Sequence, residues 1–377
     1  MKRIAVLGAT GSIGTTTLNI IEKHREQFCV SLIVNNTSIE ALKILIEKFK
    51  PSIAICVGAK YMYAYGKKVP FVENILEDST LYNDSDIVVN GIVGLAGLKP
   101  TLAVLNSKAT LATANKESFV CAGSFICQLR DKNNKKILPL DSEHSTIFQC
   151  LQGNFNYLKS IVLTASGGAF RNLKMEELAK VTAKDALKHP TWVMGKKVTI
   201  DCATLVNKGM EIIEAKYLFG CDNIRVIRHD ESIIHSLIEL KDNSMIAGLS
   251  NPDMTIPIQY ALSYPERIES SVPTLDLAKI GTLHFSEIDE EKFPCFGIAK
   301  EVALKGDVEG TIFTTADEVL VTAFMQEKIG FYDISNIIKS ALDHFCTKKA
   351  DTIEDIFCME QRVREYTLNS ISKIGGK

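Results

Sequence analysis

The amino-acid sequence predicts an α/β protein in three parts: an N-terminal parallel-sheet domain, an α+β domain and a small C-terminal helical domain. Three observations carry this. Short apolar runs alternate with helical patterns over residues 1–140. The first run passes into the first helix through a loop with three glycines, Gly8, Gly11 and Gly14. From Ile298 onward the periodicity is helical throughout.

Residues 3–7 predict a strand and 15–23 a helix. Residues 30–34 follow as a strand, and 39–49 as a helix stopped before Pro51. Strands are expected at 53–57 and 87–90, a helix at 98–106, a strand at 109–113 and a helix at 118–130. After the polar turn 131–136, residues 137–140 close the sheet and lead into Asp141. Residues 158–164 and 198–201 predict strands, and 210–219 and 256–262 helices. Residues 224–227, 234–240 and 244–249 predict a second sheet. The expected divisions are 1–140, 141–265, a connector at 266–292, and 293–377.

Composition narrows the function classes. The 377 residues are 46% hydrophobic and 23% charged, with a formal net charge of -2. Such a chain has no global field to gather nucleic acid or an anionic membrane. No stretch approaches the roughly 18–20 apolar residues of a membrane-spanning helix, and the run Ile4 to Leu7 is too short for a secretion signal. Ten scattered cysteines form no CxxC pair. They read as reduced, mostly buried thiols in a cytoplasmic chain, without a cysteine zinc site.

The glycine loop GATGSIG suits a pyrophosphate. One glycine makes the tight turn, one lets backbone approach the phosphates, and one lets helix and strand pack closely. Thr10, Ser12 and Ile13 are the expected backbone donors, aided by the helix N-terminus. The domain is thus expected to be Rossmann-like and dinucleotide-binding. The second strand ends Val34-Asn35-Asn36-Thr37-Ser38, with no acid to hold a ribose diol. That favours NADP(H), with Asn36 and its hydroxyl neighbours as polar donors.

An acidic cluster follows the strand ILPL. On an extended chain Asp141 and Glu143 would project to one side. Asn207, Lys208 and Glu211 share a face of a probable helix. Asp141, Glu143 and Glu211 together would repel unless a cation neutralised them, and Mg²⁺ or Mn²⁺ suits an all-oxygen set. A solvated acidic turn beside a capped helix fits the spacing equally well.

Seven segments decide between these. GATGSIG at 8–14, ATANKES at 112–118, LPLDSEHSTIFQ at 138–149, LTASGGAF at 163–170, HPTWVMGKK at 189–197, NKGMEIIEA at 207–215 and NPDMTIPIQYAL at 251–262 stand in one order. The chain resembles the 1-deoxy-D-xylulose 5-phosphate reductoisomerase family over nearly its whole length. The resemblance implies conversion of 1-deoxy-D-xylulose 5-phosphate to 2-C-methyl-D-erythritol 4-phosphate, in the non-mevalonate route to isoprenoid precursors. It implies NADPH and Mn²⁺ or Mg²⁺ as cofactors, a phosphorylated sugar as substrate, and a homodimer.

Residue roles follow from the same resemblance. Asp141, Glu143 and Glu211 are the implied metal ligands, and Lys116 the substrate-facing lysine. Ser142, Asn207 and Lys208 are implied to hold substrate beside the metal, and Ser166 and His189 its phosphate, with Lys188 adding charge. Trp192 and Met194 belong to a flap that covers the substrate. Asn115, Glu117, Gly195 and Met254 are implied to line the cofactor.

Two departures stand out. Cys202 replaces a serine that commonly touches the phosphate, and a thiol is the weaker donor. Val34-Asn35-Asn36 replaces a segment that more often carries glycine and a basic residue. Two other readings compete: a semialdehyde dehydrogenase with a cysteine nucleophile, and a non-catalytic NADP(H)-binding regulator.

Overall fold

The structure, a computed structural model, describes residues 1–188, 190–192, 194–345 and 349–374. The chain divides into two compact units. Met1–Ser118, Ile126–Phe148 and Asp253–Pro273 form the first; Phe119–Phe125, Gln149–Pro252 and Thr274–Lys377 form the second.

The first unit is built on an eight-stranded sheet among the described residues. In chain order its strands are β1 (Lys2–Leu7), β2 (Phe28–Asn35), β3 (Ile53–Cys56), β4 (Tyr61–Ala64), β5 (Lys67–Val69), β6 (Ile87–Asn90), β7 (Thr110–Thr113) and β8 (Ile137–Pro139). Their spatial order is β5-β4-β3-β2-β1-β6-β7-β8. The run from β3 through β1 to β8 is parallel, and β3, β4 and β5 form an antiparallel meander at one edge.

Parallel strands covered on both faces need no polar alternation, which explains the unbroken burial of Ile4, Ala5, Val6 and Leu7. Strand order reverses between β1 and β6, and ligands of such sheets bind beyond the strand ends at that point. The helix Thr255–Ser263 packs on the helix Ser12–Lys23. Lys2 secures its last turn, its Nζ donating to the carbonyls of Leu262, Ser263 and Tyr264 at 3.1, 2.9 and 2.8 Å. Burial lowers the pKa of this lysine.

The second unit holds a four-stranded sheet in the order β10-β9-β11-β12, where β9 is Leu158–Ala165, β10 Ile224–Arg228, β11 Ile234–Leu240 and β12 Met245–Leu249. β9 runs parallel to β10 and antiparallel to β11. The unit ends in helices Pro294–Ala303, Asp307–Met325, Phe331–His344 and Ile353–Ile374. The parallel sheet, the mixed sheet and the helical C-terminal region are those expected. Among the described residues no helix is long and apolar enough to cross a membrane.

Two local readings are corrected, and two strands are added. Residues 198–201 are helical, within Lys196–Thr204. The β-branched alternation Val-Thr-Ile-Asp imitates a strand. Packing against the helices Val206–Phe219 and Asp307–Met325 overrides that propensity and buries Thr199, Ile200, Asp201, Ala203 and Thr204. Glu143 does not extend β8; it lies in the first turn of the helix Ser142–Cys150. The Asp141 carbonyl accepts from Ser145 N at 2.8 Å, so the chain turns helical at once and the extended i, i+2 arrangement is lost. The strands β4 and β5 were not expected, because Tyr61–Ala64 is short and half-exposed without alternation and Lys67–Val69 is mostly charged.

Candidate active site

The glycine loop is read out by the backbone. Gly8 has φ +79°, and a Cβ there would lie 2.8 Å from the Gly91 carbonyl oxygen. A Cβ on Gly14 would lie 2.3 Å from the Gly8 carbonyl oxygen, so this glycine permits the close packing of helix on strand. The first helical bond runs from Thr15 N to the Gly11 carbonyl. The amides of Ser12, Ile13 and Gly14 therefore stand ahead of it, at the positive end of the helix. Thr10 and Ser12 are exposed on this loop and Ile13 half-buried.

At the end of β2 the polar groups divide. The Asn35 amide donates to the Ser38 carbonyl at 2.7 Å, and Ser38 Oγ accepts from Ala41 N at 3.1 Å to cap the helix Ile39–Phe49. Asn36 and Thr37 remain exposed. Among the expected ribose-phosphate donors these two have side chains open to solvent.

Asn115 caps the helix Lys116–Lys132. Its Nδ2 donates to the Ile92 and Gly94 carbonyls at 2.7 and 2.8 Å and lies 3.3 Å from Glu117 Oε2. The side chain is 1% exposed, so it shapes the loop that follows β6. Lys116, the first residue of this helix, places Nζ 2.5 Å from Asp141 Oδ2. Ser142 Oγ donates to Glu143 Oε2 at 2.6 Å. Lys116, Asp141, Ser142 and Glu143 thus form one polar group at the ends of β7 and β8. Met254 is half-buried against the core of the same unit, at the start of the helix Thr255–Ser263.

A second group is assembled in the other unit. Beyond β9, Ser166 is followed by Gly167 and Gly168 with φ +77° and +67°. A Cβ on Gly168 would lie 2.3 Å from the Cys202 carbonyl oxygen. The loop therefore rests directly on the helix that carries Cys202. Ser166 Oγ accepts from Gly168 N at 3.4 Å, and Arg171 Nη1 donates to the Ser166 carbonyl at 3.5 Å.

After the left-handed turn at Leu205 (φ 61°), the helix Val206–Phe219 opens with Asn207 and Lys208. Asn207 Nδ2 donates to Glu211 Oε1 at 2.6 Å, and Lys208 Nζ pairs with Glu211 Oε2. Lys208 and Glu211 are 4% and 1% exposed, so their charges are buried as a pair. The shared helical face expected for 207, 208 and 211 is what joins them.

Gly195 precedes the helix Lys196–Thr204 and accepts from Thr199 at its carbonyl. Trp192 meets His235 of β11 edge-on, ring centroids 6.0 Å apart. His189 lies outside the described residues. Met194 is half-buried, and Lys188 pairs with Asp185 at 2.9 Å.

Sequence reasoning missed Lys197, Asp201 and Asp317. Lys197 Nζ lies 2.6 Å from Asp201 Oδ2 and 2.7 Å from Asp317 Oδ2. The i, i+4 spacing of Lys197 and Asp201 was the available signal, hidden once the segment was read as a strand. His235 was missed as well; a lone histidine in an apolar strand gives no sign that an indole rests on it.

The switch-point sheet and the glycine loop define a class, the Rossmann-type α/β folds. Models of 1-deoxy-D-xylulose 5-phosphate reductoisomerase match residues 4–123, and those of its C-terminal domains match 137–219 and 249–366. A 1-deoxy-D-xylulose 5-phosphate reductoisomerase of Microcystis aeruginosa is 44% identical, covering 98% of this chain and 99% of its own. One from a Geobacillus species is 43% identical, covering 97% and 99%. A crystal structure of DOX-P reductoisomerase in complex with NADPH, fosmidomycin and magnesium superposes with TM-score 0.92 at 35% identity, covering 99% and 98%. The Zymomonas mobilis enzyme in complex with NADPH gives 0.89 at 34% identity, covering 98% and 99%. The chain belongs to the 1-deoxy-D-xylulose 5-phosphate reductoisomerase family.

Proposed function

We propose that this chain converts 1-deoxy-D-xylulose 5-phosphate to 2-C-methyl-D-erythritol 4-phosphate with NADPH and Mn²⁺ or Mg²⁺, in the non-mevalonate route to isoprenoid precursors. The carrying observation is the full-length family match. That match does not favour a semialdehyde dehydrogenase or a non-catalytic regulator.

Asp141, Glu143 and Glu211 are proposed as metal ligands. All three offer hard oxygen donors, and each has a neighbour holding its carboxylate: Lys116 on Asp141, Ser142 on Glu143, and Asn207 with Lys208 on Glu211. The donor set therefore suits Mn²⁺ or Mg²⁺. When bound, such an ion would supply Lewis acidity toward the substrate's ketone and adjacent hydroxyl.

Lys116 would donate to the substrate oxygen on which negative charge gathers as the carbon skeleton rearranges. Ser142, Asn207 and Lys208 would orient the hydroxyl groups. Ser166 and Cys202, joined by the Gly168 contact, would take the phosphate together with His189. Trp192 and Met194 would exclude water during reduction by NADPH. The cofactor's pyrophosphate would meet Thr10, Ser12 and Ile13 over Gly8, Gly11 and Gly14, and its 2′-phosphate would meet Asn36. Asn115, Glu117, Gly195 and Met254 are proposed to line the rest of its path, Asn115 through the loop it braces.

The division into residues 1–140 for the cofactor, 141–265 for catalysis and dimer contact, and 293–377 as a helical domain remains part of this reading. So does a cytoplasmic homodimer. The outer edge of β12, Met-Ile-Ala-Gly-Leu, carries no charge and leaves Met245 and Leu249 exposed, which supports pairing with a second copy. Sedimentation of the purified chain at the monomer mass would remove that part.

The deciding experiment is incubation with 1-deoxy-D-xylulose 5-phosphate, NADPH and Mn²⁺. NADPH consumption should require both the substrate and the metal, and should stop on adding EDTA. Consumption without the sugar phosphate, or none in its presence, would overturn the reading.

A further inference from the structure

Lys197, Asp201 and Asp317 form a charge cluster buried in the second unit, outside the residues given roles above. Asp201 and Asp317 side chains are 4% and 0% exposed, and Lys197 touches both. Among the described residues two carboxylates meet one ammonium here, and partly buried charges of this kind are held in place by their pairing. Burial raises the pKa of Asp317, ahead of the opposing pull of Lys197. Asp317 Oδ1 has no hydrogen-bond partner among the described residues, so its hold on the helix Lys196–Thr204 runs through Oδ2.

Several charged and titratable groups of the described residues lie near it. Glu318, its neighbour on the helix Asp307–Met325, raises the Asp317 pKa further and itself faces Arg364 of the helix Ile353–Ile374 at 3.4 Å. From the helix Pro294–Ala303 the wholly buried Cys295 faces both aspartates, and its thiol is pushed up by burial. On the helix Ala183–Ala186, Asp185 turns outward to Lys188.

The location gives the cluster its meaning. Lys197 and Asp201 are one turn apart on the helix Lys196–Thr204, and Asp317 belongs to the long helix Asp307–Met325. The bridge clamps the first helix to the second. Immediately before that helix stand Trp192 and Gly195, and immediately after Asp201 stands Cys202, whose carbonyl seats the Ser166–Gly168 loop. A shift of the helix along its axis would move Cys202 and the loop together.

We propose that Lys197 and Asp317 are positioning residues, which clamp the helix Lys196–Thr204 through Asp201 and so set where Cys202 and the Ser166 loop meet the substrate phosphate. This rests on the phosphate site read above. Neither residue touches substrate; both act through the placement of that helix. Asp317 accepts from Lys197 through Oδ2, so an amide oxygen can replace it and an alkyl group cannot.

The test uses the full chain with Lys197→Met, Asp317→Leu and Asp317→Asn. Two readouts are taken: KM and kcat for 1-deoxy-D-xylulose 5-phosphate, and the alkylation rate of Cys202 resolved by peptide mass spectrometry. Lys197→Met and Asp317→Leu should each raise KM roughly tenfold with kcat changed far less, and should change the Cys202 alkylation rate several-fold. NADPH affinity should not move. Asp317→Asn should restore both readouts close to the parent.

If Lys197→Met does not fold, Asp317→Leu decides, because it leaves the Lys197–Asp201 pair intact. Parental KM and parental alkylation in Asp317→Leu would overturn the proposal, as would Asp317→Asn behaving like Asp317→Leu. If the parent protein does not turn over the sugar phosphate, the phosphate-site reading falls while the alkylation series still decides whether the clamp places Cys202.

Discussion

Gly168 lies against the carbonyl of Cys202, so close that a methyl group in place of its Cα hydrogen would stand 2.3 Å from that oxygen. Its φ of +67° would strain any other residue besides. Gly168→Ala is therefore expected to cost roughly 1–3 kcal/mol of stability from the backbone alone. It should also raise KM for the sugar phosphate by about tenfold or more, as the loop lifts from its seat. Thermal melting and steady-state kinetics check both, and a parental KM would show that the contact does not serve the phosphate.

Cys202 itself is expected to tolerate restoration of a hydroxyl. Cys202→Ser should leave KM unchanged or lower it, since a hydroxyl donates more strongly than a thiol. A large rise in KM would mean that the thiol's size, not its donor strength, is what the site uses.

Asp141→Asn and Glu211→Gln should each lower kcat by roughly 10²-fold or more, and the residual activity should need more Mn²⁺ to saturate. NADPH binding, followed by cofactor fluorescence, should persist in both. Loss of NADPH binding would place these carboxylates in the architecture of the fold instead of its chemistry.

Coenzyme choice should respond to residue 36. Ser38 is occupied as a cap and Asn35 by the Ser38 carbonyl, which leaves Asn36 and Thr37 to meet the ribose. Asn36→Arg should raise the kcat/KM ratio of NADPH over NADH by roughly tenfold, and Asn36→Asp should lower it by a similar factor. Near-equal use of the two coenzymes by the parent would contradict the NADPH assignment.

The pH dependence of stability should carry the mark of Asp317. Its pKa is raised in the folded chain, so the native state holds a proton that the unfolded chain releases above about pH 4. Between those two pKa values the native state binds more protons, and stability falls as pH rises. Below the unfolded value both states are protonated and the contribution is complete. Asp317→Asn removes this term, so its melting temperature relative to the parent should climb as pH rises above about 4. A constant difference across that range would mean that Asp317 is ionised throughout.

Much of this architecture is legible in the amino-acid sequence. The strand Ile87–Asn90 and the helices Ile39–Phe49 and Leu98–Asn106 follow from apolar period and flanking Pro or Gly, which are local properties. The glycine loop was legible for the same reason, because Gly8 and Gly14 each answer a constraint set by adjacent backbone. Where the reading failed, distant packing had decided. Val198-Thr199-Ile200 is strand-like by propensity and helical through neighbours far along the chain. Glu143 reads as a strand end because the apolar run 137–140 leads into it, and that run outweighs the helix-start signals of Asp141 before the helix and an acid in its first turn. Lys197 and Asp317 are separated by 120 positions, and no periodicity links them.

The tryptophan at 192 is the only one in the chain, and its indole rests edge-on against His235. Selectively excited, its emission comes from a single place in the molecule. A neighbouring imidazole quenches indole, so brightness would report the distance of Trp192 from His235 of β11. The molecule thus carries a built-in optical gauge, readable by stopped flow without any attached dye, at the point where the proposed cover meets the sheet.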